Sequence, residues 1–307
     1  MDVINLQTSR KEEGISSPLS VALGNFDGVH KGHTELIRRA VAFAREHGIK
    51  SAVWTFSDGA AVLPNKPDVP AVTTTEEKLS LMRSLGVDYA ILEDFERIRK
   101  MSPEAFVSEI LIEKCRAQAV VCGFNFRFGA CGAGDADTLR RLISPRECIV
   151  VEPVYVGERL VSSSAIRRLI EAGDMECAAE LLGHPFAINL PVAEGKHLGR
   201  TIGIPTINQD FPDGHIIPRS GVYVCKVYIA EGEYIGITNV GVRPTVEDGE
   251  RRVNCETHII GYGGWLYGQK VRVEFHKHLR DEERFESLDA LRAQIQRDIC
   301  SAKAYFK

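Results

Sequence analysis

A chain of 307 residues, 44% hydrophobic and 26% charged, is long enough for two separately cored domains and has an ordinary globular composition. Its formal net charge of −4, with no long basic run, argues against a nucleic-acid surface. No apolar stretch reaches the roughly 18 residues of a membrane span, and Met1-Asp2-Val3-Ile4-Asn5 lacks the basic and apolar parts of an export signal, so a cytoplasmic protein without a membrane partner is expected.

Leu19 to Leu23 predicts a short buried strand. It leads into Gly24-Asn25-Phe26-Asp27-Gly28-Val29-His30-Lys31-Gly32-His33, after which Leu36, Ile37, Ala40, Val41 and Ala44 recur at helical spacing. Two imidazoles on a glycine-bearing turn therefore fall where a parallel strand hands over to a helix N-terminus, a place whose free N–H groups attract phosphate. The turn points to nucleotide chemistry. Ser51 to Phe56 predicts the next strand, and Thr75 to Leu85 a helix with Thr75 as N-cap and Gly86 closing it. Asp88 to Leu92 reads as a strand, Pro103 to Lys114 as a helix capped by Ser102, Ala117 to Cys122 as a strand, and Asp137 to Ile143 as a helix. Strands separated by helices imply an α/β domain on a parallel sheet, with ligands beyond the carboxyl ends of its strands.

The pattern changes near Gly183-His184-Pro185, which divides the chain into expected domains of 1–184 and 185–307. Gly221 to Ile229, Tyr234 to Val240, Val253 to Ile260 and Lys270 to His276 predict an antiparallel sheet or small β-barrel. A last helix runs from Ser287 to about Ile299, with Leu288, Leu291, Ile295 and Ile299 on one face. The eight cysteines form no Cys-x-x-Cys pair, and several sit in apolar runs, so reduced thiols acting as small hydrophobes are expected.

Three segments gather at the carboxyl edge of the first sheet. They are the His30/His33 turn, the Gly123-Phe124-Asn125-Phe126-Arg127-Phe128-Gly129 run, and Ser162-Ser163-Ser164-Ala165-Ile166-Arg167 opening a helix. Singly, Asn125 reads as a turn residue, Ser162 as an N-cap and Arg167 as a solvated cation; together they suit a triphosphate, with Arg167 offering bidentate donors. No Walker A run or G-x-G-x-x-G after a strand occurs, so nucleotidyl transfer by charge stabilisation and in-line positioning fits best. In the barrel half, Gly195-Lys196-His197-Leu198-Gly199-Arg200-Thr201-Ile202-Gly203-Ile204-Pro205-Thr206-Ile207-Asn208 is a glycine-rich loop ending in two hard oxygens suited to Mg²⁺. Asn254-Cys255-Glu256-Thr257-His258 puts Glu256 on a strand face with Asn254 and His258, either as a general base for a substrate hydroxyl or as a wet cross-strand ion-pair partner.

The order of these motifs resembles the prokaryotic bifunctional riboflavin kinase/FAD synthetase (FMN adenylyltransferase) family from about residue 15 to 306. The resemblance includes Leu169-Ile170-Glu171-Ala172-Gly173-Asp174, Leu181-Leu182-Gly183, Val240-Gly241-Val242-Arg243-Pro244-Thr245 and Leu279-Arg280-Asp281-Glu282-Glu283-Arg284-Phe285. It implies a Rossmann-like nucleotidyltransferase domain followed by an antiparallel flavokinase barrel with a C-terminal helix. The barrel would phosphorylate riboflavin to FMN with ATP, and the first domain would adenylylate FMN to FAD, releasing pyrophosphate. By resemblance, Glu256 is the base, Thr206 and Asn208 hold Mg²⁺-ATP, and Gly195, Lys196, Gly199, Arg200 and Gly203 form the nucleotide loop. His30, His33, Asn125, Ser162 and Arg167 carry over to the ATP of adenylyl transfer, and Arg280 to the flavin. The implied partners are riboflavin, FMN, ATP and Mg²⁺, with self-association left open.

Two segments depart from the family pattern. Ser57-Asp58-Gly59-Ala60 stands where Pro-His-Pro usually follows the phenylalanine, and Ile260-Gly261-Tyr262-Gly263-Gly264-Trp265 replaces an acidic stretch before Leu-Tyr-Gly. The first departure keeps open a riboflavin kinase with a weak or inactive adenylyltransferase domain. A non-catalytic flavin-binding regulator is the third reading, against which the intact Thr206, Asn208 and Glu256 argue. A lone aromatic such as Trp265 is expected to pack.

Overall fold

The computed structural model describes residues 1–6, 15–56, 69–194, 203–244 and 251–307. They form two compact units, Met1–Ser163 and Ser164–Lys307.

In the first unit the strands are β1 (Asp2–Asn5), β2 (Leu19–Leu23), β3 (Lys50–Phe56), β4 (Tyr89–Glu93), β5 (Ala117–Gly123) and β6 (Glu147–Val151). They build one parallel sheet in the order β1-β4-β3-β2-β5-β6. All five residues of β2 are buried because both sheet faces are covered, which is why that strand is an unbroken apolar run. Trp54, Phe106, Leu111 and Leu139 pack on one face, and Phe26, Ile37, Val53 and Met82 on the other. The covering helices are α1 (Lys31–Glu46), α2 (Thr75–Ser84), α3 (Phe95–Ile98), α4 (Pro103–Ala105, continuing as a π-wound segment Phe106–Lys114) and α5 (Ala136–Ile143). A short exposed hairpin, β7 (Tyr155–Val156) with β8 (Arg159–Leu160), follows.

The expected helix after Thr75 is present, but its cap is Thr74. The Thr74 hydroxyl accepts from the Glu77 N–H while the Glu77 carboxylate accepts from the Thr74 N–H, a reciprocal box that Thr75 cannot close from one residue further in. Ser102 caps as expected, accepting from Ala105 N–H at 3.2 Å. Strands β1 and β6, absent from the sequence reading, add to the two sides of the sheet.

Helix α6 (Ser163–Ala172) begins on the last residue of the first unit and lies otherwise in the second, which continues with α7 (Met175–Leu182), β9 (Phe186–Pro191), β10 (Ile207–Asp210), β11 (Gly221–Ile229), β12 (Gly232–Pro244), β13 (Arg251–Ile259) and β14 (Lys270–Arg280). These strands form an antiparallel sheet in the order β10-β13-β12-β11-β14-β9, curled until its ends nearly meet. Ala193 N–H donates to the Asn208 carbonyl at 2.8 Å, and the buried Gln209 amide donates to Leu190 and Val271 carbonyls at 2.7 and 2.8 Å. That amide satisfies backbone oxygens which a curled sheet edge would otherwise bury unpaired.

Alternate residues of β11 serve two apolar layers. Tyr223 stacks edge-on against Phe275, while Val222 and Val224 meet Ile299 and Ala302 of the last helix, α8 (Leu288–Tyr305). Ser287 caps α8, but Leu288 is 65% exposed and does not join the expected apolar face. Of the expected face, Ile295 and Ile299 do pack, and the buried side also takes in Asp298 and Ala302. The helix extends past Ile299 because Ala302 and Phe306 also pack against the barrel's outer layer.

Candidate functional sites

The first candidate site is the turn between β2 and α1. Phe26 (φ 56°) and Val29 (φ 39°) both hold left-handed backbone although neither is glycine, and both are buried. Such strain persists only where surroundings over-determine it, and it clusters at functional sites. Asp27 supplies part of that determination, its carboxylate accepting from Val72 N–H at 2.8 Å and Thr73 N–H at 3.2 Å. Its carbonyl accepts from the Ser163 hydroxyl at 3.1 Å, which pins the end of the first unit to the turn.

His30 is the N-cap of α1, and its Nδ1 accepts from His33 N–H at 3.2 Å. With Nδ1 accepting, a neutral His30 carries its proton on Nε2. The two rings stack with centroids 3.5 Å apart and 11° between planes, and Phe26 lies against His33 at 5.2 Å. Burial first, then His30 and Lys78, hold the His33 imidazole well below the usual histidine range, so it is neutral near pH 7. His33 Nδ1 is buried without a hydrogen-bond partner among the described residues. Its desolvation cost is already incurred, so a ligand atom that pairs with it gains affinity.

Asn125 is exposed in the turn that follows β5, where Phe126 N–H donates to the Gly123 carbonyl at 3.0 Å. The rest of the run is scaffold: Gly129 takes φ 73° and a Cβ there would lie 2.9 Å from Pro103, so no other residue fits. Ser162 is half-buried immediately before α6. Arg167 is half-buried on α6 within the second unit. Ser57-Asp58-Gly59-Ala60 lies outside the described residues.

The second candidate site is on the barrel. Gly195, Lys196, Gly199 and Arg200 lie outside the described residues. Gly203 is described and holds φ 73°, which glycine adopts without strain. Strand register sets Asn208 directly opposite Glu256 on one side, and Asn239 opposite Glu256 on the other. Directly paired residues share a face with Cβ atoms about 5 Å apart, so β10, β13 and β12 bring these three side chains into one row. Asn254 belongs to the same face, its amide donating to Asn208 Oδ1 at 3.4 Å, while Cys255 and Thr257 turn into the core. His258 Nδ1 lies 2.8 Å from the Pro205 carbonyl and so fixes the approach to Thr206.

A cavity of about 430 Å³ adjoins this row, lined by Thr206 and Asn208 with Tyr262, Leu266 and Tyr267. Its size suits a small-molecule ligand. Glu256 is not part of the lining; the β13 residues that are, Thr257 and Ile259, alternate with it along the strand, and Asn208 is the residue common to the row and the cavity. Trp265, expected to pack, is 63% exposed, with its ring edge-on to Tyr267.

Arg280 is engaged on its own chain. Its guanidinium donates to both Asp298 carboxylate oxygens at 2.8 to 3.2 Å and to the Asp281 carbonyl at 3.1 Å, and it lies 5.7 Å from the Phe285 ring centre. The next two residues are pinned as well, Asp281 by Arg219 at 2.8 Å and Glu282 by the Asn239 amide at 3.0 Å. A Cβ on Gly241 would collide with Glu282, so glycine there makes room for the tail beside the Glu256 row. Asn239 is given no role by the sequence and is revealed by strand register; Glu282, quoted there only within the tail motif, is placed by its hydrogen bond with Asn239. Asp298→Ala leaves the largely buried guanidinium without its carboxylate and is expected to destabilise the barrel by about 3 kcal/mol, measured as a lower denaturant midpoint of its transition.

A parallel α/β unit carrying a histidine turn at a strand end, together with a near-closed antiparallel barrel, is the architecture expected of a nucleotidyltransferase-plus-kinase class of protein. Residues 12–165 match the family model described as FAD synthetase, and residues 182–306 that described as riboflavin kinase. The chain belongs to the bifunctional riboflavin kinase/FMN adenylyltransferase family. It is 33% identical over 301 residues to the curated member from Bacillus subtilis (strain 168), covering 96% of this chain and 94% of that one. It is 34% identical over 291 residues to the member from Escherichia coli (strain K12), covering 93% and 92%. A crystal structure described as a macrolide-efflux protein from Streptococcus pneumoniae shares 29% identity and a TM-score of 0.86, covering 99% of each chain. Among the described residues of the present chain, no helix is long and apolar enough to cross a membrane.

Proposed function

We propose that this chain converts riboflavin to FMN in its barrel and FMN to FAD on its parallel sheet, using one ATP for each step. The observation that carries the reading is the cross-strand registration of Glu256 with Asn208, a residue that together with Thr206 also lines the cavity. Such an arrangement puts a proton acceptor next to hard oxygens, which phosphoryl transfer to a hydroxyl needs. Functionally the boundary falls at 184/185, with Ser162 and Arg167 assigned to adenylyl transfer from their motif and with Gly195, Lys196, Gly199, Arg200 and Gly203 to the kinase nucleotide. The expected compartment is the cytoplasm.

Among the described residues no cluster of three or more His, Cys, Asp or Glu side chains could hold a metal. Thr206 and Asn208 suit Mg²⁺, which takes few protein oxygens and completes its shell with phosphates and water. When bound, Mg²⁺ neutralises charge on the transferring phosphate. Asn208 and Thr206 then orient the phosphates, Asn239 and Asn208 flank Glu256, and Glu256 takes the riboflavin hydroxyl proton as the oxygen attacks the γ-phosphorus. At the other site, His30 and His33 offer ring N–H groups to the triphosphate as the FMN phosphate attacks the α-phosphorus and pyrophosphate leaves. Arg280, clamped by Asp298, holds the tail that bears on the flavin.

Incubating the full chain with riboflavin, excess ATP and Mg²⁺ and separating the flavins is expected to show FMN rising and then giving way to FAD. Accumulation that stops at FMN, even from added FMN, would leave only the kinase. Asn208→Ala is expected to raise the Mg²⁺ concentration for half-maximal riboflavin phosphorylation by about ten- to a hundredfold, read from a Mg²⁺ titration at fixed ATP.

A further inference from the structure

Helix α2 buries two charged side chains, Glu77 and Lys78, alongside Met82. Glu77 is explained by the capping box. Lys78 is only 6% exposed, and its Nζ is directed at the carboxyl edge of the parallel sheet. It donates to the Phe56 carbonyl at 2.9 Å, the Asn25 carbonyl at 3.3 Å and Thr55 Oγ1 at 3.4 Å. Thr55 in turn donates its hydroxyl proton to the Asn25 carbonyl at 2.8 Å, leaving its oxygen free to accept from Lys78.

The two carbonyls belong to different functional segments. Asn25 opens the strained turn that carries His30 and His33, and Phe56 is the last residue of β3, where the chain leaves the sheet toward the segment that departs from the family pattern. One ammonium therefore joins both strand ends. An uncharged apolar residue at helix position 78 would bury equally well but would make none of these bonds. A charge is costly to bury, so its presence at a ligand-facing sheet edge calls for a use.

Resting on the reading of the histidine turn as the adenylyl-transfer site, we infer that Lys78 is a positioning residue of FMN adenylylation, tying the Asn25 and Phe56 carbonyls together and supplying a fixed positive charge beside the histidine pair. That charge acts on His33 together with His30, and both oppose protonation of the His33 ring. The carboxylates on the neighbouring elements are Asp27, which accepts from Val72 and Thr73 N–H, and Glu77, whose Oε2 accepts from Thr74 N–H. The site on this reading offers a triphosphate the lysine ammonium together with hydrogen-bond donors from the imidazoles.

The test uses the full chain with Lys78→Met, Lys78→Gln and Lys78→Arg, and His33→Asn in parallel. Both uncharged variants are expected to lower kcat for FMN adenylylation by at least about tenfold, with riboflavin phosphorylation within about twofold of the parent as the internal control. The His33 ring resonance, assigned by its loss in His33→Asn, is expected to titrate at higher pH in Lys78→Met and Lys78→Gln and to stay near the parent value in Lys78→Arg. Lys78→Gln keeps hydrogen-bond donors, so it serves if the methionine variant does not fold. Full adenylylation in the uncharged variants, or a loss with the His33 titration unmoved, overturns the inference while leaving the histidine site standing. Full adenylylation by His33→Asn overturns the site reading and the inference with it.

Discussion

Glu256→Gln is expected to cut kcat for riboflavin phosphorylation by roughly a hundred- to ten-thousandfold, the range for loss of a positioned general base, while FMN adenylylation from added FMN continues unchanged. Glutamine is close in shape to glutamate, so the row formed with Asn208 and Asn239 keeps its packing and only proton acceptance is removed. The backbone cannot shift to compensate, because β13 is hydrogen-bonded along both sides, to β10 and to β12. Beneath it, Cys255 and Thr257 are fully buried, and Thr257 Oγ1 lies 2.9 Å from Thr238 Oγ1, which fixes which face Glu256 occupies. Steady-state assays that separate kcat from KM check the assignment. A fall in kcat at nearly constant KM for riboflavin marks a group that acts only in the transition state. A variant with near-parent kcat would move the base elsewhere and leave Glu256 as a cross-strand partner.

The same strand shows how far sequence carried and where it stopped. Alternation predicted that Asn254, Glu256 and His258 share a face, since a strand has one period, and the structure agrees. Alternation carries no information about which residue on the next strand stands opposite. Asn239 therefore stayed hidden, because pairing depends on register set by turns and bulges many residues away. At the sheet end, the apolar run of β2 and the helical spacing of α1 made the His30/His33 turn legible, but the left-handed Phe26 and Val29 did not announce themselves, as neither residue type favours that backbone. Thr74 rather than Thr75 is the cap because three consecutive threonines, Thr73 to Thr75, precede the helix and only the structure shows which one faces Glu77 N–H. Lys78 left a weak signal. It precedes Met82 by one helical turn and so falls on the buried stripe of α2, where a charge is out of place, yet snorkelling lysines are common enough to mask it. Arg280 was legible as a motif residue, but its pairing with Asp298 lies across the fold and has no local signature.

His33→Ala is the counterpart for the parallel sheet, expected to lower kcat/KM for FMN adenylylation by about a hundred- to a thousandfold with riboflavin phosphorylation preserved. Three contacts depend on this one imidazole: the stack on His30, the tilted contact with Phe26, and the ring nitrogen held ready for a ligand. Alanine keeps the backbone N–H that His30 Nδ1 accepts, so the N-cap of α1 survives and the loss is one of ligand contacts rather than of helix. The pH dependence separates this role from that of an ordinary surface histidine. An imidazole whose folded-state value lies well below the usual one of 6.5 stays neutral as pH falls through that value and charges only at lower pH. In the parent, any acid limb due to His33 therefore lies below the range of a free histidine, and adenylylation measured from pH 7.5 downward is expected to hold level through about pH 6.5. An acid limb centred on the free-histidine value, removed by His33→Ala, would show that the ring is solvated in the working enzyme and that its stack on His30 opens when ATP binds.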